Sequence, residues 1–169
     1  LKVIYLLAML VIPGLASSAD FEEGKAYKRI IPKVPTESNG KSEVVEIFWY
    51  GCPHCYNLEA DLNKWLKSKP ENVAFRRIPA IFPNRPAWAF HAQVYYTAEA
   101  LELLDKTHAS FFERIHELKK PMQTEEEIAA FFAEFGIGKK DFDSAWKSFA
   151  VNIKVKRARE LTQRYNINA

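Results

Sequence analysis

A block of β-branched and aromatic residues occupies positions 44–50, with one carboxylate, Glu46, inside it. This composition predicts a buried strand that ends at the following glycine. After Cys55 the apolar residues recur every three or four positions, at Leu58, Leu62, Trp65 and Leu66. That spacing predicts a helix that runs to about residue 69.

A second strand is predicted at 73–78, after the turn signal Pro70-Glu71-Asn72. We expect it to run parallel to the first, because a strand–helix–strand crossover returns the chain in the same direction. From the proline-punctuated loop at 79–86 to residue 165, the pattern is almost entirely helical. The sequence therefore predicts an α/β segment followed by an all-helical block. Residues 27–31 are a candidate for a short edge strand.

Four helical segments are expected in the all-helical block. The first begins at Pro86 and runs to about residue 104, and the second covers about 106–119. The third begins at the capping box Thr124-Glu125-Glu126-Glu127 and is closed by Gly136. The fourth is a longer segment headed by Phe142, Trp146 and Phe149. Aromatic side chains at helical spacing predict a packed core rather than a binding site.

Composition narrows the class of protein. The chain has 169 residues, 48% of them hydrophobic, which is enough for one well-cored globular domain. A formal net charge of +3 does not argue for binding to nucleic acid or to an anionic membrane surface. The chain has two cysteines in all, so no structural disulfide remains once both belong to one motif.

Residues 1–19 predict a secretory signal peptide. Lys2 supplies a short positive region, residues 3–15 form an apolar core, and Ser17-Ser18-Ala19 offers small residues for cleavage. A membrane-spanning helix is the competing interpretation, but the apolar run is short and Pro13-Gly14 interrupts it. Export would place the cysteines in an oxidising compartment.

The motif Cys52-Pro53-His54-Cys55 carries the candidate chemistry. We place Cys52 at the N-terminus of the predicted helix, with Pro53 in its first turn, where the missing N–H has no cost. Free N–H groups and the helix dipole then stabilise a thiolate at Cys52, and His54 can add to this effect. This predicts an attacking thiol at Cys52 and a resolving thiol at Cys55. Because a stabilised thiolate favours the reduced form, the disulfide becomes an oxidant.

Two other interpretations of the Cys-x-x-Cys motif are weaker. A zinc ion needs four ligands, and His91, His108 and His116 lie far along the chain with no paired spacing. A purely structural disulfide is also disfavoured, because closing so small a loop constrains the unfolded chain little.

The remaining charged residues have a structural and a functional interpretation. Glu46 either lies on a wet face of the sheet or pairs with a lysine, or it is a buried acid beneath the cysteines that adjusts their pKa or relays a proton.

Glu59, four residues after Cys55, is expected to be a solvated helix charge. Arg76 and Arg77 are expected to mark an exposed face. We expect the three distal histidines at the surface or at helix caps, and the basic run at 147–164 on a solvated helix face.

The segment Phe48-Trp49-Tyr50-Gly51-Cys52-Pro53-His54-Cys55-Tyr56 resembles the active-site segment of the DsbA family of thiol:disulfide oxidoreductases. Residues 21–27 resemble the N-terminal segment of that family, and residues 142–149 resemble its helical region. The likeness covers nearly all of residues 20–169. It implies a thioredoxin-like α/β fold with an inserted all-helical domain. We divide the chain into an N-terminal part of the thioredoxin-like domain at 20–82, the insert at 83–150 and a returning helix at 151–169.

The resemblance also implies an activity. The protein is expected to be a periplasmic enzyme that donates the Cys52–Cys55 disulfide to reduced, newly exported proteins through a mixed disulfide at Cys52. A quinone-linked membrane partner of the DsbB type would reoxidise it. A monomer is implied, with no bound cofactor, metal or nucleic acid. A glutamate occupies the place of Glu46 in the family, which favours the functional interpretation of that residue.

The end of the chain departs from the family pattern. Family members follow a segment like Tyr165-Asn166-Ile167-Asn168 with a glycine-valine-proline sequence, whose cis-proline faces the cysteines and helps bind substrate. We therefore expect a C-terminally truncated chain that lacks the last strands and helix of the thioredoxin fold. No residue here takes the role of that proline. Two alternatives stay open: a periplasmic thioredoxin-like reductant or isomerase, and a non-catalytic peptide-binding remnant.

Overall fold

The computed structural model describes residues 21–168, so the predicted signal peptide lies outside the described residues. The chain divides into two compact units, with the boundary between Ile31 and Pro32. The described part of the first unit holds an isolated bridge between Glu23 and Tyr27. Residues 28–31 form no strand, so the predicted edge strand is wrong. A turn closed by a hydrogen bond from the N–H of Gly24 to the carbonyl of Tyr27 (2.7 Å) precedes these residues.

The second unit begins with a strand–helix–strand motif. Strand β1 (Ser42–Phe48) is followed by helix α1 (Pro53–Leu66) and strand β2 (Val73–Pro79). The two strands are parallel, which confirms the predicted crossover, and they form the sheet of the described residues. Helix α1 ends three residues earlier than predicted, in a tight turn where the N–H of Ser68 donates to the carbonyl of Trp65 (2.9 Å).

Five helices follow: α2 (Pro86–Ala100), α3 (Leu104–His116), α4 (Glu125–Ala133), α5 (Lys139–Trp146) and α6 (Phe149–Arg164). Helix α2 ends before residue 104 because Glu102 adopts a left-handed conformation (φ 57°) and the chain folds back on itself. The capping box of α4 is confirmed, with both of its hydrogen bonds formed. The predicted last segment is two helices, and the hydroxyl of Ser148 caps the second.

Aromatic side chains of the helical block form the core of the second unit. Phe111, Phe112, Phe131, Phe132 and Phe142 are almost completely buried, together with Phe48 and Tyr50 from the β1 segment. This confirms the prediction that these aromatics pack rather than bind. Phe149 is the exception, with 81% of its surface exposed. Within residues 21–168, no helix has the length and apolar character needed to span a bilayer.

Candidate active site

The turn that joins β1 to α1 presents the first cysteine of the motif. The N–H of Cys52 donates to the carbonyl of Trp49 (2.9 Å), and the N–H of Tyr56 donates to the carbonyl of Cys52 (3.1 Å). Cys52 is therefore the N-cap of α1, and Pro53 is the first helical residue. The predicted start of the helix is confirmed. Proline suits this position because the N–H that it lacks would have no partner within the helix.

The two cysteines have different environments. Both are half-buried free thiols, and His54 between them is exposed. Burial raises the pKa of the Cys55 thiol to about 12, against a backbone hydrogen bond from Trp49 that lowers it. A hydrogen bond from the Cys55 thiol to the sulfur of Cys52 and the charge of Glu46 raise it further. Cys55 thus keeps its proton at neutral pH, whereas Cys52 lies at the helix N-terminus, where a thiolate is favoured.

An aromatic pair that the sequence pattern did not reveal packs beside this turn. The ring of Trp49 covers Gly51 so closely that a Cβ atom there would lie 2.4 Å from it. The same ring stacks on Trp88 of α2, with centroids 4.4 Å apart and planes at 8°. Glycine is therefore required at position 51 to make room for Trp49. The signal was hidden because the partner of Trp49 lies on a distant helix.

Glu46 is buried and paired with an arginine. Its side chain is 10% exposed, and Nε of Arg77 donates to its Oε2 at 2.9 Å. The sheet explains this pairing, because the register sets Glu46 directly opposite Arg77 on β2. The second oxygen, Oε1, is buried and has no hydrogen-bond partner among the described residues. Burial raises the pKa of Glu46 although Arg77 opposes the shift. The wet-face and lysine-pair interpretations are both wrong.

Glu59 and Arg77 complete a buried charge cluster, so the predictions of a solvated Glu59 and an exposed Arg77 are wrong. Nη2 of Arg77 donates to both oxygens of Glu59, at 3.0 and 3.2 Å, and the arginine side chain is only 15% exposed. Burial alone would raise the pKa of Glu59, but His108 and Arg77 outweigh it and the pKa is lowered. The local pattern could not reveal the pairing, because each charge finds its partner on another element.

Of the three distal histidines, only His116, the last residue of α3, lies at a helix end as predicted, and the prediction is wrong for the other two. His91 and His108 are buried, and His116 is half-buried. Nδ1 of His108 lies 2.8 Å from the hydroxyl of Tyr50, and its Nε2 lies 3.4 Å from Oε1 of Glu59, which is long for a hydrogen bond. Burial lowers the pKa of His108, so the ring is neutral at pH 7. His108 thereby joins the active-site turn to the charge cluster.

Together these contacts make one buried polar chain, which runs through Tyr50, His108, Glu59, Arg77 and Glu46. The link between His108 and Glu59 is the 3.4 Å contact, and the other links are hydrogen bonds. A cleft of about 230 Å³, lined in part by Glu59, Arg77 and His108, gives this chain access to solvent. Among residues 21–168, no three His, Cys, Asp or Glu side chains are grouped so that they could hold a metal ion.

A dithiol at the N-terminus of the helix between two parallel strands defines a thioredoxin-like redox site, and the comparisons with known proteins agree. The family model of the DSBA-like thioredoxin domain matches residues 77–168. The thiol:disulfide interchange protein DsbA of Azotobacter vinelandii is 42% identical over 152 residues, which cover 90% of this chain and 70% of the relative. The protein of the same name from Pseudomonas aeruginosa is 39% identical over 163 residues, covering 96% and 76%.

Solved structures give the same result. A crystal structure of a Pseudomonas aeruginosa DsbA variant superposes with a TM-score of 0.83 at 37% identity, covering 89% of this chain and 80% of that one. DsbA from Xylella fastidiosa superposes with a TM-score of 0.73 at 29% identity, covering 79% and 72%. The chain therefore belongs to the DsbA family of thioredoxin-like thiol:disulfide oxidoreductases. The predicted α/β, thioredoxin-like fold and the predicted enzyme class are confirmed.

Proposed function

We propose that the enzyme donates the Cys52–Cys55 disulfide to substrate proteins, with Cys52 as the sulfur that substrate attacks. The asymmetry of the two cysteines carries this proposal. Cys52 is the N-cap residue of α1, and the N-terminus of a helix favours negative charge, whereas burial raises the pKa of Cys55 to about 12. The exchange therefore ends with a protonated Cys55 and a charge-stabilised Cys52, which favours the reduced form of the enzyme.

The reaction proceeds in two exchange steps. A substrate thiolate attacks Sγ of Cys52, the Cys52–Cys55 bond breaks, and its electron pair leaves on Sγ of Cys55, which takes up a proton. A second substrate thiolate then attacks the substrate sulfur of the mixed disulfide, and Cys52 leaves as a thiolate. The substrate has lost two electrons and two protons, and both enzyme cysteines are reduced.

Glu46 is the proposed proton donor for Cys55. Its charge contributes to the raised pKa of Cys55, which supports proximity of the two groups. Burial raises the pKa of Glu46 itself, and its Oε1 has no partner within residues 21–168. The raised pKa makes this carboxyl a readier carrier of a proton than an ordinary glutamate, and Oε1 is the oxygen that can pass the proton to the departing sulfur. Glu59 and Arg77 hold Glu46 in place.

Pro53 and His54 have supporting roles in the proposed site. Pro53 fixes the first helical residue after Cys52 and so keeps the helix N-terminus at the sulfur. His54, exposed in the first turn of α1, supplies a hydrogen-bond donor close to Cys52. Neither residue is held by the buried polar chain, so each acts on Cys52 alone.

Reduced, unfolded proteins newly exported to the periplasm are the proposed substrates. The signal peptide predicted at 1–19 and the family membership support this location. We propose reoxidation by a quinone-linked membrane oxidase of the DsbB type, whose quinone accepts the two electrons and two protons. A monomer is the proposed acting form.

Two single-cysteine variants test the roles of the cysteines. Cys55→Ser keeps the proposed attacked sulfur, and Cys52→Ser keeps the one with the raised pKa. Mixed at pH 7 with a peptide that carries an activated disulfide, Cys55→Ser is expected to form the mixed disulfide at least about 100-fold faster. Equal rates, or a faster Cys52→Ser variant, would contradict the assignment. Mass spectrometry of the trapped adduct gives the measurement.

The direction of the reaction is tested by equilibration of the wild-type protein with glutathione redox buffers. We expect a reduction potential well above the value of about −270 mV of thioredoxin. A thioredoxin-like potential would favour the reductant or isomerase. A Cys52→Ser variant that protects unfolded clients as well as the wild type would favour the non-catalytic binding protein.

A further inference from the structure

Helix α3 contacts Tyr50 at two points. Nδ1 of His108 is 2.8 Å from the tyrosine hydroxyl, and Nε2 of His116 is 2.8 Å from the tyrosine backbone carbonyl. The two histidines are eight residues apart, a little more than two turns of the helix. Tyr50 is 2% exposed, and its ring packs against Phe48, Phe111 and Phe112. One residue of the active-site turn is thus fixed by the helical block through both its side chain and its backbone.

The carbonyl of Tyr50 belongs to the central peptide group of the turn that ends at Cys52. That turn is closed by the hydrogen bond from the N–H of Cys52 to the carbonyl of Trp49. The orientation of the central peptide distinguishes one turn type from another. It also determines how the chain enters α1, for which Cys52 is the N-cap residue. A hydrogen bond to the Tyr50 carbonyl therefore restrains the turn at its most variable point.

His116 is well placed to make this restraint rigid. A carbonyl oxygen only accepts, so Nε2 of His116 carries the donated hydrogen. The imidazole stacks on the ring of Tyr56 in α1, with centroids 4.8 Å apart and planes at 8°. The hydroxyl of Tyr56 in turn donates to Glu117 (3.0 Å). The stack fixes the plane of the imidazole, and this orients the N–H towards the turn.

We propose that His116 is a positioning residue for disulfide exchange: its Nε2–H holds the Tyr50 carbonyl and thereby fixes the turn that presents Cys52 at the N-terminus of α1. His116 touches neither sulfur and acts through Tyr50 and the turn. The inference rests on the proposed role of Cys52 as the attacked sulfur. Losing the donor frees the central peptide, so the helix N-terminus stabilises the Cys52 thiolate less well.

Two substitutions separate the hydrogen bond from the stacking. His116→Phe keeps an aromatic ring against Tyr56 and removes the donor. His116→Gln removes the ring and keeps an N–H donor of similar reach. Tyr56→Phe is the matched control, because it keeps the stack and removes only the neighbouring hydrogen bond to Glu117. Both positions lie on the partly exposed contact between α1 and α3, so the three variants are expected to fold.

The measurements are the rate of Cys52 alkylation by iodoacetamide from pH 3 to 9 and the equilibrium constant with glutathione. We expect His116→Phe to lower the alkylation rate on the rising part of the pH profile, where the thiol is only partly ionised, and to leave the plateau rate no lower than that of the wild type. We also expect it to move the glutathione equilibrium towards the enzyme disulfide, each effect being about fivefold, as for the loss of one hydrogen bond. His116→Gln and Tyr56→Phe are expected to stay within about twofold of the wild type.

The proposal is overturned if His116→Phe stays within about twofold of the wild type, or if His116→Gln is altered as much as His116→Phe. It is also overturned if urea unfolding shows His116→Phe destabilising the reduced and oxidised forms equally, because the contact would then be purely structural. Failure of the proposed function would look different: the wild type itself would exchange no disulfide with the peptide, whatever residue stands at position 116.

Discussion

The β1–α1–β2 region and the helices α2–α5 both bury large side chains, but of opposite kinds. The strand–helix–strand region buries the charges of Glu46, Glu59 and Arg77. The helical block buries rings, among them Phe112 at 0% exposure. The buried rings contribute to stability by leaving water. The buried charges are costly to desolvate and are tolerated only as a set, so removal of one member leaves the others uncompensated.

This difference suggests a division of roles between the two regions. The aromatic core holds the fold, and a change there alters stability at every pH. The charge of Glu46 contributes to the raised pKa of Cys55, so protonation of the charge cluster can be coupled to protonation of that thiol. A change in the cluster is therefore expected to alter stability and redox chemistry in a pH-dependent manner. The substitutions below test this distinction.

The largest effect is expected from Phe112→Ala in the helical block. Phe112 is completely buried and packs against the rings of Phe48 and Tyr50. Loss of the ring leaves a cavity, and we expect the free energy of unfolding to fall by about 4 kcal/mol, equally at pH 7 and pH 5. Phe149→Ala is the control, since that side chain is exposed, and it is expected to change stability by less than about 0.5 kcal/mol. A strong pH dependence of the Phe112 effect, measured by urea unfolding, would contradict the division.

Arg77→Met is expected to lower the free energy of unfolding by about 3 kcal/mol at pH 7, because Glu46 and Glu59 stay buried without their shared cation. The pKa of both carboxyls then rises in the folded variant above the value in the unfolded chain. A raised folded pKa favours folding at low pH and this contribution is lost as the pH rises, so the deficit is larger at pH 7 than at pH 5. Lys154→Met is the control: its half-exposed pair with Glu99 (2.7 Å) is expected to contribute less than about 0.5 kcal/mol. If the loss of unfolding free energy in Arg77→Met is the same at pH 7 and pH 5, the cluster acts only by packing.

The same contrast explains what could be predicted from the sequence. Periodicity identified β1, α1, β2 and the aromatic core, because apolar burial has a local signature along the chain. The cysteine motif correctly predicted the start of α1 at Cys52 and Pro53, because a helix start and the position of a proline are local signals too. The partners of Glu46 and Glu59 were missed, since the pairing depends on strand register and on α1 lying over β2. His108 was missed for the same reason: its partners Tyr50 and Glu59 lie on other elements.

The interruptions between helices in the helical block were a second feature that the sequence pattern did not predict. The left-handed residue that ends α2 is Glu102, which carries no glycine or asparagine signal. The break between α5 and α6 depends on the hydroxyl of Ser148, a weak signal inside an apolar-periodic stretch. Periodicity locates a helical face well, but it passes over a short interruption that keeps the same face inward.

His91 tests whether the aromatic core contains a titrating group. Its Nε2 lies 3.2 Å from the carbonyl of Met122, and burial lowers its pKa from 6.5 to about 4. Between pH 6.5 and 4 the unfolded chain therefore binds a proton at His91 that the folded chain does not bind. Stability falls as the pH drops through this range. Between pH 7 and pH 5 the wild type is expected to lose about 2 kcal/mol through this residue. His91→Gln keeps a donor but cannot titrate, so urea unfolding should show the difference between the two proteins shrinking at low pH. Parallel pH profiles would contradict the assignment.

The smallest effect is expected at the N-terminus of α4, where the interaction is local and exposed. The hydroxyl of Thr124 accepts from the N–H of Glu127 (3.2 Å), and the carboxylate of Glu127 accepts from the N–H of Thr124 (3.0 Å). Thr124→Ala is expected to lower the free energy of unfolding by about 1 kcal/mol, because water replaces the lost cap. Ser144→Ala, at an exposed position inside α5, is the control and is expected to cause no loss, since alanine is the better helix former. This capping box was predicted correctly from the sequence, yet we expect it to contribute less to the free energy of unfolding than Phe112, Arg77 or His91. A loss at Thr124 as large as that at Arg77 would mean that local, exposed signals stabilise this fold as much as its buried charges do.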